Sequence, residues 1–488
     1  MKVMIAYPSL DTRLKPMLTQ NRQFQWYHVG SNIYPLVPAF AAALLNREGY
    51  EVIWHDGIAE NVSLEDMLQI VSSMRPDLLA METKTPVVKR HWRIIKLVKQ
   101  ASPETSIALM GDHVTAFPEE SFENSETDYV ITGGDFDAAL LSLARHISGG
   151  SSLGPGIYYR DGDTIGNTGP FVPFEDLDSL PFPDRTLTKA EIYGEKWRKR
   201  EPFFYTLAGR DCPWHRCTFC SWTTLYPKFR VRSPDNLLQE IGELISRYGA
   251  KEIFDDTGTF PRGKWLEKFC QGMKSEGFDQ EILFGCNYRF DWLTPENAVM
   301  MKRAGFRKIK VGLESANTVT LERLRKGITP EQIRSGCRNA ARAGLDVHLT
   351  VMFGYPWENR NQAEQTFELV KDLMKHGWVE MLQATILVPY PGTPLYEQAV
   401  RNEWLSVEPD DWESFDMSRP VLKPGPGCNP AGINELVTRT YKLHFNPWYL
   451  LSRVIKLRRP EDLRYALRGI KAMLGHVLDF FSGIQGGA

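Results

Sequence analysis

Short apolar runs alternate with amphipathic segments along residues 1–147. The runs have the length and composition of buried strands, and the segments between them show the spacing of apolar residues expected of helices. The predicted strands are Val3–Ala6, Glu51–Trp54, Leu78–Met81, Ser106–Leu109 and Tyr129–Ile131. The predicted helices are Pro38–Glu48, Ser63–Ser73, Arg90–Gln100 and Phe136–Ile147. This alternation predicts an α/β domain with a doubly wound parallel sheet, which binds its ligands at the carboxyl ends of the strands.

Residues 201–400 repeat the strand and helix unit six times. The first apolar run is Pro202–Ala208, and a helix is predicted from Pro234 to Tyr248 with Ser233 as its N-cap. The later predicted strands are Glu252–Phe254, Ile282–Phe284, Lys308–Gly312, Val347–Met352 and Leu382–Leu387. Six such units predict a partial (βα)6 TIM-type barrel, whose working face lies where the strands end.

Two further regions complete the chain. Residues 148–200 are rich in turn signals and prolines, which favours an extended linker strap over a helix. Residues 401–488 are predicted to form a helical C-terminal domain that caps the barrel.

Composition and charge exclude several classes of protein. The net charge of −2 offers no general case for nucleic-acid binding. The first eight residues do not form a signal peptide, and no run reaches the roughly 18 apolar residues of a membrane span. We therefore expect a cytoplasmic protein.

Three of the seven cysteines, Cys212, Cys217 and Cys220, fall within nine residues after the first barrel strand. Three thiolates on one loop can hold three irons of a [4Fe–4S] cluster and leave the fourth iron open for chemistry. A zinc site would need a fourth ligand, for which His215 is the candidate, although its position between the cysteines is awkward. A disulfide would leave an odd thiol.

This loop resembles that of the radical SAM superfamily, which has the pattern Cys-x3-Cys-x2-Cys with an aromatic residue where Phe219 stands. In that family S-adenosylmethionine (SAM) chelates the open iron and is cleaved to a 5′-deoxyadenosyl radical. The resemblance implies that Cys212, Cys217 and Cys220 are the catalytic cluster ligands. The present chain departs from the pattern because four residues, Pro213 to Arg216, separate the first two cysteines. We expect the loop to absorb the extra residue as a bulge.

Polar residues follow the later barrel strands. The acids after the second strand could cap a turn, and Arg289 after the third could pair with a SAM carboxylate or with a neighbouring acid. In the family, the matching segments surround SAM. The SAM-binding residues that the resemblance implies are Phe219, Asp255, Asp256, Arg289, Glu314, Ser315, Gly354 and Trp357.

Gly and Asp residues also follow the strands of the first domain, where they could simply form turns. The order of these segments and their amino-acid sequences resemble those of the Rossmann-like cobalamin-binding domain that precedes many radical SAM domains. The resemblance implies cobalamin contacts from His55, Asp56, Gly57, Thr83, Gly111, Asp112, His113, Gly133 and Gly134. The Asp-x-His-x-x-Gly motif that supplies a cobalt-binding histidine in methionine-synthase-type domains is not found in this sequence. Radical SAM relatives commonly bind cobalamin without it.

The segment 451–480 carries seven Lys or Arg against three acids, with leucines at helical spacing. One interpretation is a helical cap with a solvated basic face. The other is peripheral contact with a membrane surface.

The closest resemblance is to the subfamily with the anaerobic magnesium-protoporphyrin monomethyl ester cyclase, hopanoid-tailoring enzymes and C-methylases. It implies an enzyme that uses a [4Fe–4S] cluster, SAM and cobalamin to methylate an unactivated carbon of a small molecule. A ring-forming oxidative cyclase without methyl transfer is the main alternative, and a zinc-loop ligand-binding protein is a distant one. A large apolar substrate, such as a tetrapyrrole or lipid, and a flavodoxin or ferredoxin as electron donor are expected.

Overall fold

The computed structural model describes residues 1–10, 15–16, 26–27, 31–455 and 461–470. Two large sheets, of seven and six strands, organise these residues. The predicted α/β fold, with a parallel N-terminal sheet followed by a partial barrel, is confirmed.

The N-terminal sheet has five parallel strands at its centre, and all five were predicted. In spatial order they are Glu51–Asp56, Lys2–Tyr7, Leu78–Glu82, Ser106–Met110 and Tyr129–Ile131. The main helices are Leu36–Arg47, Leu64–Met74, Val88–Ala101 and Phe136–Ile147. Short helices at Gly57–Glu60, Asp112–Ala116 and Glu120–Asn124 lie beyond the carboxyl ends of strands.

An antiparallel hairpin, Ile157–Asp161 and Thr164–Asn167, extends this sheet at one edge. The sequence predicted no strand there, because Gly and Asp residues interrupt the segment. The hairpin also buries little: among its residues only Ile157 is fully buried. An exposed edge hairpin lacks the apolar alternation by which half-buried strands are recognised.

The barrel sheet contains six parallel strands in simple sequential order. They are Phe203–Thr206, Glu252–Asp255, Leu283–Tyr288, Phe306–Glu314, Asp346–Phe353 and Met381–Ile386. The helices between and after them include Pro234–Tyr248, Lys264–Ser275, Pro295–Arg303, Thr318–Arg323, Pro330–Ala343, Arg360–Lys375 and Pro394–Arg401. The Ser233 side chain caps the first of these helices, as predicted.

Buried ion pairs attach the N-terminal domain to the barrel. Asp135 and Asp137, at the start of the helix Phe136–Ile147, face Arg210 and Arg230 of the barrel. Asp137 Oδ2 lies 2.7 Å from Arg210 Nη2, and Asp135 Oδ2 lies 2.5 Å from Arg230 Nη1. All four side chains are buried.

Helices follow the barrel at Pro430–Lys442, Pro447–Ile455 and 461–470. The Tyr441 hydroxyl donates to the carbonyl of Ala384 at 2.9 Å, which attaches the first of them to the last barrel strand. The rest of the predicted basic helical region, residues 456–460 and 471–480, lies outside the described residues. Within the described part of the chain, no helix is both long and apolar enough to cross a membrane.

Candidate functional site

An open cavity with a volume of about 130 Å³ lies at the carboxyl ends of the barrel strands. Residues from the cysteine loop and from later strand ends line it together. The polar and sulfur-containing members of the lining are Asp211, Cys212, His215, Arg216, Cys217, Cys220, Thr223, Asp256, Thr259, Asn287, Tyr288, Arg289, Lys310, Glu314, Lys326, Thr350, Met352, Tyr390 and Met417.

The cysteine loop leaves the barrel through a short antiparallel pair, Gly209–Arg210 with Arg230–Val231. Asp211 and His215 both adopt left-handed backbone angles, with φ of 74° and 45°. The His215 Nδ1 atom pairs with the Asp211 carboxylate, so the two residues close the chain around the extra residue between Cys212 and Cys217.

Trp214, inside the four-residue insertion, packs on the turn formed by residues 325–327. Its Nε1 donates to the carbonyl of Arg325 at 2.7 Å. The Arg289 guanidinium lies 4.2 Å from its ring centroid. A Cβ at Gly327 would lie 2.1 Å from the ring, so only glycine allows this approach. The insertion is therefore held against the wall of the cavity.

The ligand geometry does not favour the zinc alternative. The Nδ1 atom of His215 is engaged by the Asp211 carboxylate. Among the described residues, no group of three or more His, Cys, Asp or Glu side chains is arranged to hold a single metal ion. A [4Fe–4S] cube makes a different demand, because each thiolate binds a separate iron.

The positively charged Lys326 lies on one side of the loop cysteines, beside Cys217. Burial raises the pKa of Cys217 to about 11, and the positive charge of Lys326 opposes this shift. Cys212 Sγ donates to Thr259 Oγ1 at 3.0 Å. All three cysteines are partly exposed and free of disulfides. A desolvated thiol beside a lysine, as at Cys217, suits a ligand that replaces the proton with iron.

A buried ion pair lies beside these thiols. Lys326 Nζ contacts Glu314 Oε1 at 2.7 Å. Burial acts to lower the pKa of Lys326, but the negative charge of Glu314 outweighs it, so the pKa is raised. Lys326 therefore carries its charge within the cavity.

Four of the residues predicted to bind SAM line this cavity: Phe219, Asp256, Arg289 and Glu314. Asp256 Oδ1 accepts from Asn287 Nδ2 at 3.2 Å. The Arg289 guanidinium donates to Asp291 at 2.9 Å and to the carbonyl of Lys326 at 3.0 Å. Arg289 thus supports the turn that carries Lys326.

The other four, Asp255, Ser315, Gly354 and Trp357, are not part of the cavity wall in the described structure. Asp255 accepts from the backbone N–H of Ala208 at 2.7 Å and from that of Thr257 at 3.1 Å. Ser315 donates to Glu358 at 2.6 Å. The Trp357 Nε1 atom donates to Thr320 at 3.0 Å. Gly354 lies beside Ile433 of the C-terminal helix. These residues support the loops around the cavity.

The sequence did not predict the cavity-lining residues Lys310, Lys326, Asn287 and Thr350. Lys310 and Gly312 share one face of the strand Phe306–Glu314, because side chains alternate along a strand, and a register shift after Gly312 brings Glu314 to the same cavity. That alternation was the available signal for Lys310. No pattern in the sequence indicates Lys326, because its place depends on how the turn after the helix Thr318–Arg323 folds back.

The residues predicted to bind cobalamin all lie at or beyond the carboxyl edge of the N-terminal sheet, outside the barrel cavity wall described above. His55 and Asp56 end one strand, and Gly57 begins the next short helix. Asp56 accepts from the Tyr193 hydroxyl at 2.7 Å. Burial raises the pKa of Asp56 to about 6. The buried His55 Nε2 atom has no hydrogen-bond partner among the described residues.

A second group of the residues predicted to bind cobalamin surrounds the carboxyl ends of the strands Leu78–Glu82 and Ser106–Met110. The Thr83 hydroxyl bonds to His91 Nδ1 at 2.8 Å. Asp112 lies 3.4 Å from Lys84 Nζ. His113 bonds to Thr85 at 3.2 Å and to Glu120 at 2.8 Å. Both ring nitrogens of His113 are therefore engaged by protein side chains.

Three glycines of this edge allow close approaches. A Cβ at Gly111 would lie 2.1 Å from the carbonyl oxygen of Thr83. At Gly133 and Gly134 it would lie 2.3 Å from the rings of Phe171 and Tyr226, respectively. The three glycines serve close contacts within the protein, and the buried, unpartnered Nε2 atom of His55 is the group at this edge that fits a polar cofactor.

Two family models match the chain. The B12 binding domain matches residues 27–141, and the Radical SAM superfamily matches residues 207–370. These matches fall on the N-terminal domain and on the barrel with the cysteine loop.

Curated relatives match most of the chain. An uncharacterised methyltransferase of Pyrococcus horikoshii is 27% identical over 96% of this chain and 98% of its own length. The anaerobic magnesium-protoporphyrin IX monomethyl ester cyclase of Rubrivivax gelatinosus is 25% identical over 92% of this chain and 81% of its own. The bacteriochlorophyllide d C-12(1)-methyltransferase of Chlorobaculum tepidum is 26% identical over 59% of this chain and 60% of its own.

Solved structures share the fold. The radical SAM methyltransferase TsrM from Kitasatospora setae, with cobalamin and a [4Fe–4S] cluster bound, has a TM-score of 0.71 at 16% identity and covers 97% of this chain and 98% of its own. The cobalamin-dependent SAM radical enzyme OxsB has a TM-score of 0.69 at 15% identity and covers 98% of this chain and 72% of its own.

The chain is therefore a radical SAM enzyme. It combines its radical SAM domain with a B12-binding domain. The radical SAM domain implies a [4Fe–4S] cluster and SAM, and the B12-binding domain supports cobalamin as a further cofactor, in agreement with the sequence analysis.

Replacing Asp255 with asparagine tests the structural role of this carboxyl group. Burial raises its pKa from 3.8 to about 7, so the folded state binds the proton more tightly than the unfolded state. The stability that this group contributes is present below pH 3.8 and is lost as the pH rises through about 7. Relative to the wild type, Asp255→Asn should gain about 4 kcal/mol of unfolding free energy between these limits.

The measurement is chemical denaturation of both proteins across this pH range. The exposed Asp163→Asn is the matched control and should give a constant difference. If the unfolding free energy of Asp255→Asn also differed from that of the wild type by the same amount at every pH, the assignment of Asp255 as a buried carboxyl group with a raised pKa would be contradicted.

Proposed function

We propose that this protein methylates an unactivated carbon of a small molecule in a cobalamin-dependent radical SAM reaction. The observation that carries the proposal is that the working edges of the two domains adjoin each other. A Cβ at Gly392, beyond the last barrel strand, would lie 3.1 Å from Ala116 of the N-terminal domain and 2.5 Å from Thr224 near the cysteine loop. Cofactors at the two edges would share one reaction space.

In this proposal Cys212, Cys217 and Cys220 hold the cluster. When bound, the cluster and SAM supply a 5′-deoxyadenosyl radical, and cobalamin supplies the methyl group. The Asp211–His215 pair and the packing of Trp214 hold the thiols in place despite the longer spacing.

The charges of the cavity suit the amino-acid part of SAM. Lys326, held by Glu314 beside Cys217, offers a cation to its carboxylate, and Arg289 lies on the same wall. Asp256 and Glu314 offer carboxylates to its amino group. We therefore add Lys326 to the SAM-binding residues implied by the resemblance.

The second candidate is an oxidative cyclase that uses the same radical without methyl transfer. The similarity to the Rubrivivax gelatinosus cyclase over 92% of this chain supports it. A large apolar substrate, tetrapyrrole or lipid, agrees with both candidates, since a relative from Chlorobaculum tepidum is named as a bacteriochlorophyllide methyltransferase. Flavodoxin or ferredoxin stays the expected electron donor.

Substituting the three loop cysteines tests the cluster assignment. We expect the wild type, purified without oxygen, to contain about four irons and four sulfides per chain. Cys212→Ala, Cys217→Ala and Cys220→Ala should each lose most of this iron, because each removes one of three ligands. Cys428→Ala, which alters a partly exposed thiol away from the loop, is the control and should keep its iron. Zinc in place of iron in the wild type would refute the proposal.

The role of Lys326 can be measured as SAM affinity of the cluster-loaded protein. Lys326→Met removes a charge-assisted contact worth about 1.5–3 kcal/mol, so the Kd for SAM should rise at least about tenfold. Lys326→Arg keeps the charge and should bind more tightly than Lys326→Met. Equal affinities of wild type and Lys326→Met would remove this residue from the site.

Product analysis separates methylation from cyclisation. After supply of cobalamin, we expect about one cobalt per chain, since the proposal places one cobalamin in the N-terminal domain. Incubation with SAM carrying a labelled methyl group should release S-adenosylhomocysteine and 5′-deoxyadenosine, because SAM would serve both as methyl donor and as radical source. Release of 5′-deoxyadenosine alone from the cobalt-loaded protein would favour the cyclase.

A further inference from the structure

Exposed apolar side chains are concentrated near the end of the described chain. Of the fourteen large apolar side chains that are exposed in the described residues, eight lie between residues 445 and 470. They are Phe445, Trp448, Leu450, Leu451, Val454, Leu463, Leu467 and Ile470. A concentration of exposed apolar side chains marks an interaction surface more often than a solvated one.

The helix Pro447–Ile455 contacts the rest of the protein through the buried Tyr449 ring and through polar groups. The Tyr449 hydroxyl donates to the carbonyl of Glu380 at 2.7 Å, and Arg453 pairs with the Glu380 carboxylate. Trp448 and Val454, on the outer side, are 64% and 61% exposed.

The helix 461–470 shows the same orientation. Asp462 pairs with Lys199, Glu461 lies 3.3 Å from Arg200, and Arg468 lies 3.0 Å from Glu201. Leu463, Leu467 and Ile470 are exposed and share one helix face, because they are separated by four and three residues.

Both helices are therefore oriented opposite to the usual arrangement of a surface helix. A helix on a water-soluble protein normally buries its apolar stripe and exposes its charges. Here the charged groups are used for attachment to the barrel, and the leucines and tryptophan face outward. This arrangement requires an apolar partner.

Charge complementarity indicates which partner. Residues 442–471 contain eight Lys or Arg and two acids. Glu461 and Asp462 pair with barrel cations, and Arg453 and Arg468 pair with barrel acids, so the pairing with the barrel leaves the surplus of positive charge unchanged. Arg464 is exposed beside Leu463 and Leu467. Apolar side chains with an exposed tryptophan and surplus positive charge match the interface of a bilayer that contains anionic lipids.

We propose that this face, defined by the eight exposed residues above, docks on a membrane surface containing anionic phospholipid. Its barrel contacts, Glu201 and Glu380, directly precede the strands Phe203–Thr206 and Met381–Ile386. The face therefore lies at the amino-terminal end of the barrel, opposite the cavity. Docking attaches the enzyme to the bilayer and leaves the cavity open to the aqueous side.

Vesicle binding by the full chain tests this proposal. Binding to vesicles of phosphatidylcholine and phosphatidylglycerol should exceed binding to pure phosphatidylcholine and should weaken with salt. The double variant Leu463→Gln/Leu467→Gln should bind at least about tenfold more weakly, because two apolar side chains no longer enter the lipid. The matched control is Val319→Gln/Val400→Gln, which alters exposed apolar residues on other helices and should bind like the wild type.

Light scattering without vesicles measures the oligomeric state and so tests whether the face binds a second copy of the chain instead. A dimer that dissociates in Leu463→Gln/Leu467→Gln would assign the face to a second copy of the chain and overturn the proposal. Equal vesicle binding by this variant and the wild type, or no binding by either, would also overturn it. Iron content and release of 5′-deoxyadenosine are expected to be unchanged in the variant, so failure here is distinct from failure of the proposed reaction.

Discussion

The relation between the two sheets depends on buried ion pairs that join Asp135 and Asp137 to Arg210 and Arg230. Arg210 comes two residues before Cys212, so these contacts hold the N-terminal domain to the base of the cysteine loop. Burial acts to lower the pKa of Arg210, but Asp137 outweighs it and the pKa is raised. Removing one partner of such a buried pair costs about 3–5 kcal/mol, because a buried charge is left unpaired.

The cysteine loop is held by contacts that a three-residue spacing between its first two cysteines would not require. The left-handed backbone at Asp211 and His215 and their ion pair accommodate the extra residue. Trp214 then fits against Gly327, next to the turn that presents Lys326. The additional residue and the cation beside Cys217 are thus parts of one packed unit.

Much of the fold could be predicted because the determinants are local. The five central strands of the first sheet, the six barrel strands and the cysteine loop all carry their own apolar runs or spacing. The edge hairpin at 157–167 escaped prediction because its exposed side chains leave no alternation to detect. Asp255 and Ser315 were predicted to bind SAM together with their neighbours Asp256 and Glu314, but adjacent residues point to different sides, and only Asp256 and Glu314 line the cavity.

The sequence by itself determined the order of elements, the three thiols and the two domain types, since these follow from hydrophobic periodicity and from residue spacing. Only the tertiary structure decided that Lys326 stands beside Cys217 and that the working edges of the two domains adjoin at Gly392 and Ala116. The orientation of the C-terminal helices was also decided only by the tertiary structure. A helical repeat of leucines predicts an apolar face, but whether that face turns inward depends on long-range ion pairs such as Arg468–Glu201, between residues far apart in the chain.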